Sequence, residues 1–509
     1  MLRNKSILKG KKLMKKKILA AVLASALLLS VAGCDQNTGN TNNTGTGTNT
    51  NAPTTSGNST QGSDPAQSTP AGNYGTGELK PSDSEGKKIR IACWNYEFKS
   101  FVDAFYKLPD GYEIEWVQTP NDEGAYQKKL DEQLAANESA SADEKIDMFL
   151  AEADYIQKYS FSDNTIDLST IGVDKADTMY DYVVNAGSDQ SGKLKGVSWQ
   201  ATPSCVIIRK SIAKDVLGTD NPDELQSKLD TWEKFADAAK AAKEKGYYIT
   251  PSALETYRTF ANNATTSYLT DDKFAPTEAF NTWLKQAEDF TKNGYVLNTL
   301  PELWDDGKTD HMYKDGKAMC FFGPSWYFNF SMGKAMDADK GSKGDWVIIQ
   351  GPQAHFWGGT WMMAAKGTDN PEIVADIMNA FTKNEDILEK LVKGKGIIDP
   401  DTQKEKDNPQ FVNNKNVIKK FAEDSSYGNN TILDGQNDIA VMSKIADGIK
   451  WDGALHTRYD QTFNETLPQC MNEYLKSLAG VEGVPGVTLD KAWSNFYDKL
   501  EAVNPDITH

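Results

Sequence analysis

The sequence predicts an α/β fold in two lobes, and three observations support this prediction. Short runs rich in β-branched residues alternate with segments whose apolar residues recur at helical spacing, which is typical of a mostly parallel sheet with helices on both faces. The part with globular composition, from residue 87 onward, has about 420 residues, too many for one hydrophobic core. No internal repeat of fixed period is present, so a repeat architecture is not expected.

The first 33 residues are predicted to be a signal peptide. A basic stretch from Arg3 to Lys17 precedes an apolar run over residues 18–30, which is too short to span a bilayer as a helix. The run ends in Val31-Ala32-Gly33-Cys34, which resembles the lipobox of bacterial lipoproteins. The resemblance implies cleavage before Cys34 and a diacylglycerol anchor on its thiol. The alternative is an ordinary secretory signal with an incidental cysteine.

Residues 34–86 are predicted to be the lipidated cysteine and a disordered tether. The segment consists mainly of Asn, Thr, Gly and Ser, and almost nothing in it is apolar. Such a composition cannot offset the entropy cost of ordering the chain. We therefore expect the folded region to be held away from the membrane and free to turn.

The charge balance excludes one class of partner. The chain has 55 Lys and Arg against 72 Asp and Glu, a formal net charge of −17, and eight of its basic residues precede Cys34. An acidic surface repels phosphate backbones, so nucleic-acid binding is not expected. The remaining cysteines do not pair at metal-ligand spacing and are predicted to be mostly buried free thiols: Cys93, Cys205, Cys320 and Cys470.

The first half of the folded region predicts strands with polar residues after them. "KKIRIACW" and "YEIEWVQTP" are predicted strands, "EGAYQKKLDEQLAANES" is a predicted helix, and "KIDMFLAEADYIQKY" is a strand, a turn and a helix. Ligands of open α/β sheets bind beyond the carboxyl ends of the strands. The residues that this rule selects are Trp94, Asn95, Tyr96, Glu97, Glu152 and Asp154.

The second half continues with strands at Ser204 to Arg209, before Gly323-Pro324, in "GDWVIIQGP" and in "GGTWMMAAK". Residues 252–295 are predicted to be predominantly helical, and "DDGKTD" at 305–310 a surface turn, because it lacks the spaced Glu of a calcium loop. Gly246 is a predicted helix stop, Pro371 a helix start and Thr488 the N-cap of the last helix.

Five ordered motifs make the chain resemble the extracellular solute-binding proteins of bacterial carbohydrate ABC importers, the group that includes maltose-binding protein. The motifs are the strand and turn 147–154, "TWEKF" at 231–235, "GKAM" followed by "GPSW" at 316–326, "GGT" with "NPE" over 358–372, and the last helix. They extend over nearly all of residues 87–505. The sequence departs from the family where Ile208-Arg209-Lys210 stands for Tyr-Asn-Lys and where Ser325 splits Gly-Pro-Trp. Residues 394–400 also replace the family's usual proline-marked loop.

The resemblance implies a two-lobed periplasmic-binding-protein-like fold with a ligand cleft between the lobes and a hinge of crossing strands. It places lobe one at residues 87–200 and 362–428, and lobe two at 201–361 and 429–509. It also implies that the lobes close on a carbohydrate, several tryptophans favouring an oligosaccharide, and that the closed form docks on an ABC permease at the membrane. We expect a monomer without cofactor or metal.

The resemblance also selects residues for the ligand site. A flat indole can cover the C–H face of a sugar ring, which removes apolar surface from water at roughly 25 cal/mol per Å². The predicted stacking residues are, in decreasing order of preference, Trp326 and Trp361, then Trp94, Trp199 and Trp357, and finally Trp451. The predicted polar and backbone partners are Asn95, Glu97, Glu152, Asp154, Gln200 and Gly359. Core packing is the alternative for every tryptophan, and we expect it for Trp232, Trp283, Trp346 and Trp493.

Catalysis has little support in the sequence, so we expect a binding protein and not an enzyme. The four histidines stand in unrelated contexts, and no zinc-binding, nucleophile-elbow or phosphate-binding motif is present. A secreted glycoside hydrolase remains the main alternative, because two carboxylates suffice for that chemistry. A third possibility is the same fold with a non-sugar solute such as a peptide, a polyamine or iron.

Overall fold

The computed structural model describes residues 73–82, 86–297, 306–428 and 430–509. The predicted signal peptide, Cys34 and most of the predicted tether lie outside these residues. Within the described ranges, no helix has both the length and the apolar character that crossing a membrane requires.

The strands form two main sheets and a short hairpin. They are β1 (Lys88–Cys93), β2 (Glu113–Gln118), β3 (Met148–Glu152), β4 (Gly196–Val197), β5 (Pro203–Arg209), β6 (Leu269–Thr270), β7 (Lys273–Phe274), β8 (Cys320–Pro324), β9 (Trp346–Ile349), β10 (His355–Phe356) and β11 (Thr360–Ala364). The first sheet has the order β2-β1-β3-β11-β4. In it, β1 pairs in parallel with β2 and β3, and β11 runs antiparallel to β3 and β4.

The second sheet is built around β5, which pairs antiparallel with β8, β9 and β10. The prediction of a mostly parallel sheet is therefore wrong for this sheet and holds only for part of the first. The cause is the path of the chain, which passes from β4 to β5 and back from β10 to β11. Because β11 enters the first sheet at the edge where β3 ends, Thr360 lies opposite Glu152 and the two strands run in opposite directions.

Helices follow most of the strands, and several begin or end where the sequence predicts. They are α1 (Glu97–Phe105), α2 (Ala125–Ala136), α3 (Ile156–Ser160), α4 (Asp181–Ala186), α5 (Lys210–Leu217), α6 (Pro222–Leu229), α7 (Trp232–Glu244), α8 (Tyr257–Asn262), α9 (Glu278–Lys292), α10 (Asp306–Thr309), α11 (Tyr327–Phe330), α12 (Pro371–Lys383), α13 (Glu385–Lys393), α14 (Lys415–Ala422), α15 (Asp438–Gly448), α16 (Leu467–Leu478) and α17 (Leu489–Val503). Thr488 caps α17 by accepting from Lys491 N–H, and Pro371 starts α12.

One local prediction is incomplete and one is wrong. Residues 252–295 are predominantly helical as predicted, but β6 and β7 form an unpredicted hairpin between α8 and α9. Its turn residues Asp271 and Asp272 both have positive φ, which a two-residue hairpin turn requires. The segment predicted as a surface turn forms α10, and the side chain of Lys308 is buried in an ion pair with Glu255.

The apolar interior is divided into two hydrophobic clusters. One is centred on the first sheet, with Ile91, Phe149 and Met362 fully buried, and the other contains Phe235 and Trp283. The four cysteines after Cys34 are buried and unpaired. The residue boundaries of the lobes remain a prediction.

The folded region begins earlier than residue 87. Residues 73–82 already contact it: Gly75 N–H donates to both carboxylate oxygens of Asp376 on α12, at 3.3 and 3.1 Å. Thr76 forms an isolated bridge with Lys107, and Asn384 donates to the carbonyl of Tyr74 at 2.9 Å. The contacts require Gly75, since an added Cβ would lie 2.9 Å from Ala380 Cβ. The C-terminal part of the predicted tether is thus part of the folded body.

Candidate functional site

Two acidic side chains lie where β3 ends, beside the connection between the two sheets. Glu152 is the last residue of β3, and Asp154 follows two residues later. The backbone N–H of Asp154 donates to Oε2 of Glu152 at 2.7 Å. The backbone N–H of Ala153 donates to the carbonyl of Gly359, just before β11, at 3.1 Å. The end of the strand therefore fixes both carboxylates against the segment that joins β10 to β11.

An arginine from α8 binds Asp154 with both of its outer nitrogens. Nη2 of Arg258 donates to Oδ2 of Asp154 at 2.8 Å, and Nη1 donates to Oδ1. The guanidinium carbon lies 5.3 Å from the centre of the Trp357 ring, a cation–π distance. Asp154 is only 7% exposed, so this ion pair lies largely out of water. It joins residues that the resemblance assigns to different lobes.

Two further carboxyl groups share this environment. Burial raises the pKa of Glu465 to about 7; the Asp154 carboxylate also raises it, and Arg258 lowers it. Burial likewise raises the pKa of Glu152 well above its ordinary value, again with Asp154 adding to the rise and Arg258 opposing it. Glu465 lies in a π-helical turn over Thr462–Thr466 that leads into α16, a deformation that is frequent at functional sites. We call Glu152, Asp154, Arg258 and Glu465 the charged cluster.

Two half-buried indoles border the charged cluster. The Trp326 and Trp357 rings meet edge to face, with centroids 5.7 Å apart. Gly358 has φ +70°, and an added Cβ would lie 2.9 Å from the Trp326 ring. Thr202 Oγ1 donates to the Gly358 carbonyl at 2.7 Å, which holds the glycine in place. Glycine therefore allows the backbone to lie directly against the indole.

A second polar group surrounds Glu97, and we call it the amide cluster. Asn408 Nδ2 donates to Glu97 Oε1 at 3.1 Å, and Gln200 Nε2 donates to Gln410 Oε1 at 2.9 Å. Asn329 on α11 donates to Asn408 Oδ1 at 3.1 Å. Burial raises the pKa of Glu97, whereas the amide hydrogen bonds and the charge of Lys406 lower it. Asn95 Oδ1 accepts from the N–H of Glu97 at 3.0 Å and so fixes the start of α1.

Trp199 and Trp361 lie in the hydrophobic cluster around the first sheet. Each is 1% exposed. Trp199 stacks on Phe98 with centroids 4.6 Å apart, and the Trp361 indole N–H donates to the Val183 carbonyl at 3.1 Å. In this arrangement neither ring has a face open to a ligand. Gly359, with φ +111°, separates Trp361 from the cleft residues Trp357 and Gly358.

The two remaining predicted tryptophans lie in separate groups of rings. Trp94 is half-buried, with its ring 5.6 Å from Tyr126 and 6.3 Å from Tyr155. Trp451 stacks on His456 at 3.5 Å between centroids, beside a cavity of about 430 Å³. The structure therefore brings Glu152, Asp154, Trp326 and Trp357 together, and Asn95, Glu97 and Gln200 together. It places Trp451 apart from both groups.

Sequence reasoning did not identify several residues of these clusters: Arg258, Asn329, Asn408, Gln410 and Glu465. Arg258 stands in a segment predicted only as helical. One signal was available, because Arg258 is one of five arginines in a chain whose cations are mostly lysine. Arginine is the side chain suited to two-point binding of a carboxylate.

Comparisons with known proteins identify the family of the chain. The sequence profile of the family described as bacterial extracellular solute-binding protein matches residues 100–419, more than half of the chain. The match contains Glu152, Asp154, Arg258, Trp326 and Trp357. A comparison with curated protein sequences finds no match.

Solved structures of similar proteins share the fold at low sequence identity. A crystal structure of an extracellular solute-binding protein of family 1 is 16% identical, with a TM-score of 0.65 over 82% of this chain and 99% of that chain. The galacto-N-biose-/lacto-N-biose I-binding protein of a Bifidobacterium longum ABC transporter, in complex with lacto-N-biose, is 13% identical (TM-score 0.56, 83% and 98% covered). An ABC transporter-associated binding protein from B. animalis subsp. lactis, in complex with β-1,6-galactobiose, is 15% identical. Its TM-score is 0.55, over 82% of this chain and 98% of that chain.

Proposed function

This chain belongs to the bacterial extracellular solute-binding proteins, and we propose that it captures a carbohydrate between its two lobes for an ABC importer. The observation that carries the proposal is the pair of half-buried indoles, Trp326 and Trp357, beside an ion pair that joins the lobes. Two proteins of similar fold from ABC transporters are described in complex with disaccharides. Aromatic faces together with carboxylates and amides are what recognition of a sugar requires.

The charged cluster with its indoles and the amide cluster would bind different groups of the sugar. Trp326 and Trp357 would cover C–H faces of sugar rings, and Trp94 would extend the platform along the first lobe. The carboxylates of the charged cluster would accept hydrogen bonds from hydroxyls. Glu97, Asn95 and Gln200 would do the same at the amide cluster, where amide groups also donate. Several aromatic positions favour an oligosaccharide over a monosaccharide.

Closure of the lobes couples binding to delivery. Three contacts link residues assigned to different lobes: Asp154 with Arg258, Asn329 with Asn408, and Gln127 with Gln461 at 3.1 Å. A ligand that binds both walls favours this closed arrangement over an open one. The closed form would be the one that a permease in the membrane recognises and whose ligand it imports.

We also propose that the protein is held outside the cytoplasm by a lipid on Cys34. The lipobox-like sequence before Cys34 and the polar segment after it support this proposal. A chain of about 40 flexible residues has a root-mean-square span of roughly 35 Å, enough to separate the folded body from the bilayer. Mass spectrometry of the protein from membranes tests the modification. A chain that still contains Cys34 but carries no lipid on it would contradict the proposal.

A thermal-shift screen over mono- and oligosaccharides tests the binding function. A ligand at 100 times its Kd adds about 2.7 kcal/mol to the free energy of unfolding, which raises the melting temperature measurably. Small-angle scattering with and without the best sugar then tests closure, with a smaller radius of gyration expected for the complex. Release of shorter sugars during incubation would favour a hydrolase, and the absence of a shift with every saccharide would contradict the proposal.

A further inference from the structure

A cavity of about 430 Å³ lies beside Trp451, and no residue of the charged cluster or the amide cluster lines it. Its volume is within the roughly 300–1,000 Å³ of pockets that hold small molecules. Its walls come from residues between 261 and 268, from Gln353, and from residues between 450 and 464. All of these belong to the predicted second lobe, so the cavity is distinct from the predicted gap between the lobes. We call it the side cavity.

One wall of the side cavity is a pair of flat rings held by hydrogen bonds. The half-buried rings of Trp451 and His456 are stacked, with centroids 3.5 Å apart and 4° between their planes. Nδ1 of His456 lies 2.5 Å from Oδ2 of Asp460, and Oδ1 of Asp460 accepts from the backbone N–H of Thr457 at 2.8 Å. The carbonyl of Trp451 accepts from Asn185 at 3.2 Å. Because the rings are fixed before a ligand arrives, packing on them costs little side-chain entropy.

The other walls carry amide groups with unused hydrogen-bonding capacity. Oδ1 of Asn262 accepts from the Phe356 N–H at 3.0 Å, and Oε1 of Gln353 accepts from the Trp232 indole N–H at 2.8 Å. Among the described residues, the NH₂ groups of both amides have no acceptor, and the Asn464 side chain has no hydrogen-bond partner. An amide both donates and accepts, as a sugar hydroxyl does. The side cavity therefore suits a ligand rich in hydroxyls.

The charges around the side cavity do not favour an ionic ligand. Its lining contains Lys450, Asp452 and Asp460. Asp460 is buried and already bonded to the His456 ring, whereas Lys450 and Asp452 are exposed and carry opposite charges. An ion of either sign would therefore meet both an attractive and a repulsive group. Flat rings together with neutral amides are what recognition of an uncharged saccharide ring requires.

The side cavity is a neighbour of the charged cluster. Arg258 of the cluster and Asn262 of the cavity lining stand four positions apart on α8, on the same side of the helix. Glu465 of the cluster directly follows Asn464 of the lining in the π-helical turn. The ring of Phe356, the residue before Trp357, lies 5.1 Å from the Trp451 ring. The two sites thus share two structural elements, and adjacent units of one sugar chain can occupy them together.

We infer that the side cavity binds one further unit of an oligosaccharide whose other units lie in the cleft. The inference rests on the proposed carbohydrate-binding function and adds a subsite to it. The unit packs a C–H face on the stacked rings of Trp451 and His456. Its hydroxyls accept hydrogen bonds from Asn262, Gln353 and Asn464. Chain length therefore contributes to affinity, because a sugar too short to reach the side cavity lacks these contacts.

Calorimetry with sugars of increasing length tests this subsite. The probes are malto-oligosaccharides, cello-oligosaccharides and β-1,6-galacto-oligosaccharides of two to five units. In a series that binds, we expect one added unit to raise the affinity by about ten-fold or more, with one ligand bound per protein. If affinity does not rise with length in any binding series, or if two ligands bind per protein, the inference is overturned and the proposed function stays intact. Absence of binding by every saccharide contradicts the proposed function itself.

Two substitutions locate the added unit. Asn464→Ala removes an amide of the lining, and Trp451→Ala removes one of the stacked rings. We expect each to reduce the gain from the added unit to less than about three-fold. Trp116→Ala on β2 is the matched control and should keep the full gain, because Trp116 is also half-buried but does not line the side cavity. A gain that survives in both cavity variants would overturn the assignment, and melting temperatures confirm that each variant is folded.

Discussion

The interior around Trp361 in the first sheet and the half-buried surface around Trp326 contain the same side chain in different surroundings. Trp361 stands in the middle strand region of the first sheet, is 1% exposed, and has its indole N–H paired with the Val183 carbonyl. Trp326 precedes α11, is half-buried, and contacts Trp357 and Phe330 at ring distances of 5.7 and 6.2 Å. The first ring is surrounded on all sides, whereas the second has surface left for another molecule.

The difference shows that the element, and not the neighbouring sequence, decides the role of an aromatic residue. β11 pairs with strands on both sides, and Trp361 points from it toward α4 and Gly187, where an added Cβ would lie 2.9 Å from the indole. Trp326 stands in the bend between the edge strand β8 and α11, and its ring is only partly covered by neighbouring side chains. Tryptophans with similar glycine-containing neighbours therefore differ in burial and in the contacts that they make.

The largest expected effect is on Trp361. Trp361→Ala removes a fully buried indole and leaves a cavity, which should lower the free energy of unfolding by about 3–5 kcal/mol. Urea unfolding followed by circular dichroism measures the loss. The surviving folded protein should keep its affinity for the ligand found by the screen. If the free energy of unfolding falls by less than about 1 kcal/mol and binding becomes weaker, Trp361 is a ligand-binding residue and not a packing residue.

The second expected effect concerns Glu465, a buried carboxyl group of the charged cluster. The pKa of Glu465 rises from an ordinary 4.5 to about 7, so the folded chain holds more protons than the unfolded chain between these values. Stability should therefore fall as the pH rises from about 4.5 to about 7, by at most about 3 kcal/mol. In Glu465→Gln this share of the pH dependence should disappear. Parallel profiles for the two proteins, from urea unfolding at several pH values, would contradict the assignment.

A smaller effect is expected for the cleft indole. Trp326→Ala should remove a stacking face of about 60–80 Å², which at 25 cal/mol per Å² is about 1.5–2 kcal/mol, or a ten- to thirty-fold weaker affinity. The melting temperature without ligand should change by only a few degrees. Calorimetry measures the affinity. Unchanged affinity with a large drop in melting temperature would make Trp326 a packing residue like Trp361.

The smallest expected effect tests the contact between glycine and indole. Gly358→Ala places a side chain on a residue with φ +70° and within 2.9 Å of the Trp326 ring, so it should cost about 1–2 kcal/mol of stability. It should also weaken ligand binding, because the indole must move. Gly333→Ala is the matched control, since open space surrounds that position. Equal effects of the two substitutions would exclude a specific role for Gly358.

Much of the local structure could be predicted from the sequence. β1, β3, β5 and β11 lie where β-branched runs predict strands, and Thr488 and Pro371 begin helices as expected. These features depend on residues close together in the chain. The antiparallel second sheet and the β6–β7 hairpin were missed, because strand direction depends on the path between the lobes and the hairpin strands have two residues each.

The sequence by itself determined most of the elements, the family and the strand ends that carry Glu97, Glu152 and Asp154, because each depends on local pattern and motif order. Only the tertiary structure decided which side chains meet. Asp154 and Arg258 are 104 positions apart, and Glu97 and Asn408 are 311 positions apart. No local pattern carries such pairings, since they arise when packing of the two hydrophobic clusters brings distant segments to the same cleft. The same packing decided which indoles were buried and which kept an open face.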